Sequence, residues 1–413
     1  MVKQFLMRKR SSNYKSLKKL GSSLRNNWLS KMKILAISHS CVVSEYQKRM
    51  EEVASYRDVE LTLLVPRCWF QYNTKVTLEK DSGVRYRILS VQPMTWGFRK
   101  HTLWNVTHVY PGIRKILKRI EPDIIELWEE PFSAVAAHTI FWARRILRQY
   151  RIIFFSAQNV LKNYPLPFSI FEKYTFENAQ YAFLMNKDVI DVIKSKGYRK
   201  NFSVLPLGVD TEIFYRKDVS GLRSELGLDN FVIGFIGKLT RQKGILELIK
   251  VLSQMNGQFQ LLIIGTGELL HEVRNSLIQN HLKKRTVQIS GVPHGEIPNY
   301  LNCMDLLVLP SITVSHLKEQ FGRVLIEAMA CQVPVIGSNS GEIPKILEDA
   351  GIVFKENDLA DLRRKIALLM RDEELRKTIG RKGYQKVMNK YTWQVIAANQ
   401  YRVYKKLMKE TSL

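Results

Sequence analysis

Cysteine is scarce in this 413-residue chain: Cys41, Cys68, Cys303 and Cys331 stand singly, and no Cys-x-x-Cys or Cys/His ligand spacing joins them. Neither a disulfide framework nor a zinc site is expected, and a reducing cytosol suits such usage. Cys41 reads as a small packing residue. Long apolar runs are missing too. No stretch reaches the roughly 18 residues needed to cross a bilayer, and the first residues carry Lys and Arg throughout, with no apolar segment of the secretory kind. Helix-turn-helix, zinc-finger and RNP-type aromatic patterns are absent, which argues against a nucleic-acid partner.

Acid is the other shortage. Against 64 Lys and Arg the chain has 38 Asp and Glu, a formal charge of +26. That excess implies an anionic partner larger than one small ligand, and an anionic membrane surface fits better than nucleic acid. Residues 1–31 contain no acid and interleave Lys3, Arg8, Lys9 and Arg10 with Phe5, Leu6, Leu17 and Trp28. Such a segment can lie on a membrane, or it can be a merely solvated extension. A second basic and aromatic stretch holds Trp96, Phe98, Arg99, Lys100, Trp104, Tyr110, Arg114, Lys115, Lys118 and Arg119.

The 45% hydrophobic content supplies two cores. Short apolar runs alternate with amphipathic segments, the pattern of parallel sheets covered by helices. One series of strands is expected at 33–38, 59–66, 86–91, 123–128, 151–155 and 182–185, and a second at 232–237, 260–265, 286–291, 306–309, 333–337 and 351–354. Pro206-Leu207-Gly208-Val209-Asp210 reads as the linker, and an amphipathic helix runs from about Thr392 to Lys409. The division is thus a basic extension (1–31), a first α/β domain (32–205), a second (206–392) and a last helix (393–413). Two doubly wound domains bind ligands at the carboxyl ends of their strands, in the cleft between them.

The segment Glu319-Gln320-Phe321-Gly322-Arg323-Val324-Leu325-Ile326-Glu327-Ala328-Met329-Ala330 places a carboxylate inside an apolar helical run. Acidic side chains are almost never buried unpaired, because the ionised form loses its hydration. Gly322 lets backbone approach closely where the helix begins, and the free N–H groups there suit an anion. One helix start can then hold a nucleotide sugar, with N–H groups on the diphosphate, Glu327 on vicinal ribose hydroxyls and Glu319 on the sugar hydroxyls. A structural ion pair is the competing explanation, since Arg323 precedes Glu327 by one helical turn. Upstream, Lys238 follows a strand and Lys243 stands nearby, two ammonium groups able to neutralise a leaving diphosphate; an exposed turn is the plainer alternative.

The Glu-x7-Glu spacing around Phe321-Gly322, with Leu309-Pro310-Ser311 before it and Val333 to Ser338 after it, resembles the retaining GT-B glycosyltransferases of family four. The resemblance extends to the loop Gly237 to Gly244, to Gly341-Glu342-Ile343-Pro344 and to Tyr391-Thr392-Trp393, and so covers nearly all of residues 206–410. It implies two Rossmann-like domains facing a cleft, with the last helix crossing back to the first. It also implies donor contacts at Gly237, Lys238, Lys243, Glu319, Phe321, Gly322, Arg323, Val324 and Glu327, with Glu319, Lys243 and Lys238 acting in catalysis. In that family backbone groups around Gly291-Val292-Pro293-His294 commonly read the nucleobase, so those side chains are not informative.

The first domain matches loosely, and its departures matter. His39-Ser40-Cys41 stands where a Gly-Gly loop is common, and Ser156-Ala157-Gln158-Asn159 replaces a Thr-x-His segment. Gln158 can hydrogen-bond a sugar but cannot titrate. His39, Glu129, Glu130 and Gln158 are the acceptor or cleft candidates; a packed histidine and carboxylates solvated at a strand end are the alternatives. Lys238 replaces the usual Arg and cannot make its bidentate fork. No Asp-x-Asp triplet is present, so no metal or other cofactor is expected.

The implied reaction is metal-independent transfer of a sugar, with retention, from a UDP- or GDP-sugar to a hydroxyl of a lipid-linked or polysaccharide acceptor. The expected place is the cytoplasmic face of a membrane, peripherally attached. A transferase making a soluble glycoside, or a silent protein of the same fold binding anionic lipid or polysaccharide, are the alternatives. A pyridoxal-phosphate phosphorylase is not expected, because no cofactor-lysine context occurs.

Overall fold

The computed structural model describes residues 31–71, 74–79, 84–95, 103–315 and 317–410. The basic extension over residues 1–30, and Trp96, Phe98, Arg99 and Lys100 of the second basic stretch, lie outside the described residues.

Strands β1 (Met32–Ile37), β2 (Val59–Val65), β5 (Arg87–Ser90), β6 (Ile124–Leu127), β7 (Arg151–Ser156), β8 (Tyr181–Leu184) and β9 (Asn201–Val204) form a seven-stranded sheet in the order β5-β2-β1-β6-β7-β8-β9. Its paired strands are all parallel, with Ile34 opposite both Leu61 and Ile124. A second parallel sheet of six strands runs β12-β11-β10-β13-β14-β15. Its strands are β10 (Phe231–Ile236), β11 (Phe259–Ile264), β12 (Thr286–Ile289), β13 (Leu306–Leu309), β14 (Val335–Ser338) and β15 (Ile352–Phe354). Central strands such as β10 and β13 carry no alternation, because helices cover both faces of each sheet. An antiparallel hairpin, β3 (Cys68–Gln71) with β4 (Thr74–Thr77), is a feature the sequence reading missed, as is the edge strand β9.

Strand order reverses between β1 and β6 in the first sheet and between β10 and β13 in the second. The loops leaving these pairs therefore diverge and open a crevice at each sheet's carboxyl end, where ligands of doubly wound folds bind.

The core is divided by face. One apolar cluster fills the far side of each sheet, while a third runs from the first domain to the second through Val209, Phe214 and Trp393. The last helix, Trp393–Lys409, is capped by the Thr392 hydroxyl and packs on the Ser44–Ala54 helix of the first domain. Beneath it Arg49, 2% exposed, bonds Glu126 at 2.8 Å and Gln400 at 3.1 Å. Gln400 in turn donates to Glu126 at 2.7 Å, and the Tyr404 hydroxyl also donates to that carboxylate. Arg49 also lies over the Trp128 ring, 3.5 Å from its centroid. Glu126 thus meets three donors, and the network ties the last helix to the first domain, while Arg49 Nη2 is left without a hydrogen-bond partner.

Candidate functional site

Glu319 lies in the loop between β13 and the Arg323–Ala330 helix and is 6% exposed. Its Oε2 accepts from Lys243 Nζ at 2.6 Å and from Ser311 Oγ at 2.7 Å. These partners come from both sides of the second sheet's crevice, Lys243 from the loop after β10 and Ser311 from the loop after β13. The two loops touch only because residue 244 is glycine. Its backbone is left-handed (φ 67°), and a Cβ there would stand 1.9 Å from the Pro310 carbonyl oxygen.

Lys238 lies close enough to Lys243 to feel its charge. Burial first, and the neighbouring ammonium second, push the Lys238 amine below its ordinary value, with Glu268 opposing. Beside them the Arg323–Ala330 helix begins at Gly322 (φ 73°), and its first turn has no acidic side chain. Phe321 is buried edge-on against Tyr391, with ring centroids 5.9 Å apart, and Val324 is half-buried in the helix's first turn.

Glu327 is also buried, and it has partners. Arg323 Nε lies 3.1 Å from its Oε1, the helical ion pair anticipated from the spacing, and His294 Nε2 lies 2.9 Å from the same oxygen. His294 Nδ1 is 2.9 Å from Glu45 Oε2, and Arg323 closes the ring by bonding Glu45 Oε1. Glu45 belongs to the Ser44–Ala54 helix, so this ring of alternating charge joins the two domains. Burial alone would lower the His294 imidazole, but hydrogen bonds to Glu327 and Glu45 outweigh it and carry the pKa up to about 9. For Glu45, burial is outweighed by His294 and Arg323, and its carboxyl falls to about 2. The sequence reading did not single out Glu45, and it took the His294 side chain as uninformative, whereas that side chain pairs with both carboxylates. These residues, with Phe214, Val292 and Pro293, border a cleft of about 870 Å³.

On the first domain, His39 and Glu129 meet across the β1/β6 crevice. His39 Nδ1 is 2.6 Å from Glu129 Oε2, and the His39 backbone N–H donates to Oε1 at 2.7 Å. Glu129 is 2% exposed, not solvated at a strand end. Burial would raise its carboxyl, yet the charges of His39 and His108 hold it at about 2. Glu130 accepts from Ser156 Oγ at 2.7 Å and Ala157 N–H at 2.9 Å, bonds that only partly offset burial, which lifts its carboxyl to about 7. Gln158 turns its amide onto the Val160 carbonyl in its own loop, 2.9 Å away.

Two doubly wound parallel sheets with an intervening cleft place the protein in the GT-B class of folds. Residues 222–386 match the family model described as Glycosyl transferases group 1 and form a domain of that kind. An uncharacterized glycosyltransferase of Methanocaldococcus jannaschii is 29% identical over 370 residues, 84% of this chain and 99% of that protein. The capsular polysaccharide biosynthesis glycosyltransferase CapM of Staphylococcus aureus is 34% identical over 193 residues, but the match spans only 44% of this chain and 48% of CapM. Among solved structures, HepE of Anabaena in complex with UDP and glucose superposes with a TM-score of 0.70 at 18% identity, over 91% of this chain and 100% of HepE. Sucrose-phosphate synthase of Thermosynechococcus elongatus gives the same TM-score and identity over 92% and 100%.

Proposed function

We propose that the protein is a glycosyltransferase that takes a sugar from a nucleoside diphosphate and gives it to a hydroxyl of a lipid-linked or polysaccharide acceptor, with retention and without a metal on the donor. The observation that carries this reading is Glu319, a buried carboxylate held by Lys243 and Ser311 at a helix start. Lys238 stands beside Lys243, and the repulsion between the two ammonium groups would be relieved by the negative charge of a diphosphate. Complexes of the structurally similar HepE with UDP support a nucleotide donor. In this reading Lys238, Lys243 and the N–H groups after Gly322 take the charge that builds as the bond from the anomeric carbon to phosphate oxygen breaks. Glu319 orients the sugar, Glu327 and Arg323 hold the ribose end, and the acceptor proton passes to the leaving phosphate. His39, Glu129, Glu130 and Gln158 belong to the acceptor side. A hexose is the sugar proposed, and UDP or GDP the carrier.

The acceptor is placed at the cytoplasmic face of a membrane, with a role in surface glycan or glycolipid synthesis. Among the described residues no helix is long and apolar enough to cross a bilayer. The adjacent helices Ile113–Ile120 and Ala134–Ile146 carry Arg114, Lys115, Lys118, Arg119, Arg144 and Arg145 with no acid, beside an exposed Phe141. Such a face suits anionic headgroups.

The test is release of nucleoside diphosphate from UDP- and GDP-hexoses, without added metal and with lipid extract as acceptor source, by wild type and Glu319→Gln. Turnover with one donor, lost in the variant, is expected. Wild type that neither turns over nor binds any donor overturns the reading and leaves a silent binding protein.

A further inference from the structure

Outside the donor site, three side chains of the first domain converge. His39 follows β1, Glu129 follows β6, and His108 ends the short Trp104–Thr107 helix; their ligand atoms all lie within 4.8 Å of one another. Among the described residues no other group of three His, Cys, Asp or Glu side chains is so disposed.

His108 is the informative member, being fully buried. Its Nδ1 is 2.9 Å from the Trp104 backbone carbonyl, which can only accept, so Nδ1 carries a proton. Its Nε2 has no hydrogen-bond partner and points toward Glu129 Oε1 at 3.6 Å, too far for a hydrogen bond. An imidazole tied through one nitrogen to a carbonyl, with the other aimed at a carboxylate, is held as metal-ligating histidines are held. Glu129 is oriented in the same way by the His39 backbone N–H. Rings pack around the group: Trp69 lies 5.1 Å from His39 and 4.9 Å from His108, and Tyr110 lies 5.9 Å from His108.

We propose that His39, His108 and Glu129 bind a divalent transition-metal ion, zinc being the ion that two imidazoles and one carboxylate best suit. The cation takes the place of the proton shared by His39 and Glu129 and of the proton that a charged His108 carries on Nε2, and both protons leave to solvent. It meets the orphaned Nε2 of His108 and balances the buried carboxylate. His39, with 21% of its side chain exposed, is the member open to solvent, so an ion would reach the site from its side. The site is separate from the donor diphosphate, whose charge remains with Lys238 and Lys243, and it stands whether or not the transferase reading does.

Full-length protein, stripped with chelator and dialysed, is titrated with Zn2+ by calorimetry and with Co2+ by visible absorption. One equivalent should bind, with proton release into the buffer. The cobalt spectrum should lack a thiolate charge-transfer band, which excludes Cys41 and Cys68 as ligands. His39→Gln and His108→Phe should each weaken binding at least about tenfold. Should either variant fail to fold by circular dichroism, anomalous diffraction at the zinc edge from the wild-type protein locates the ion instead, and density between the three side chains supports the site. Absence of saturable binding by wild type, unchanged binding in both folded variants, or zinc located elsewhere overturns it.

Discussion

The Asn159 side-chain amide donates to the backbone carbonyl of Glu319 across 3.2 Å, joining the first domain's β7 loop to the Glu319 loop of the second. Gln320 returns the contact by donating to the Ala157 carbonyl at 2.9 Å, and Ala157 N–H in turn holds Glu130. Donor and acceptor candidates are thus linked through two short backbone segments.

Removing the Asn159 amide should therefore impair the reaction more than the fold. We expect Asn159→Ala to lower kcat by about tenfold, the modest loss expected of a displaced positioning group, with thermal stability within about 1 kcal/mol of wild type. Steady-state kinetics beside a urea titration check both halves.

Glu319, Lys243 and Ser311 form one hydrogen-bonded unit, so their losses should not add. Lys243→Ala is expected to reduce kcat by about 10²–10³, and Lys243→Ala with Ser311→Ala by little more. A double-mutant cycle on donor turnover measures the coupling; strict additivity would show that the groups act separately.

The interdomain ring containing His294 should respond to pH. The His294 pKa rises from 6.5 to about 9 on folding, so its contribution is fully present below pH 6.5 and disappears as pH climbs through 9. After a discount for its partial exposure, about 1–2 kcal/mol is at stake. Melting temperature measured from pH 6 to pH 10 should fall more steeply in wild type than in His294→Gln.

Arg49 is the member of the buried network whose loss leaves Glu126 charged and inadequately paired. Arg49→Met should cost about 3–5 kcal/mol and loosen the last helix. Hydrogen exchange over residues 393–409 should then accelerate, while exchange in β10 and β13 stays slow.

Charge reversal on the basic face, Lys118→Glu with Arg119→Glu, should weaken co-sedimentation with anionic vesicles at least tenfold, since each basic residue contributes about 1 kcal/mol near such a surface. Binding to zwitterionic vesicles and donor hydrolysis should not change. Equal sedimentation of variant and wild type would move the contact elsewhere on the protein.

Much of this site could be read in the sequence, for reasons specific to each residue. Glu327 announced itself as a carboxylate in an apolar run, and β10 and β13 as short apolar stretches. By contrast β9, with an exposed or half-exposed residue at every position, offers no period. Nothing near His108 in the chain marks it: its partners His39 and Glu129 lie far away in sequence and are assembled only by the sheet. Glu45 was missed, and the His294 side chain taken as uninformative, for the same reason, since a ring that spans two domains has no local pattern.

The linker and the start of the last helix run side by side. Val209 N–H donates to the Tyr391 carbonyl at 2.8 Å, and Val209 pairs with Thr392 as an isolated parallel bridge. Since the last helix is rooted in the first domain, the polypeptide passes between the domains twice at this one place. A doubled hinge bends about a single axis but resists torsion, so opening of the cleft should swing Glu319 and Lys243 away from Glu129 and Glu130 along one arc and return them to the same facing alignment.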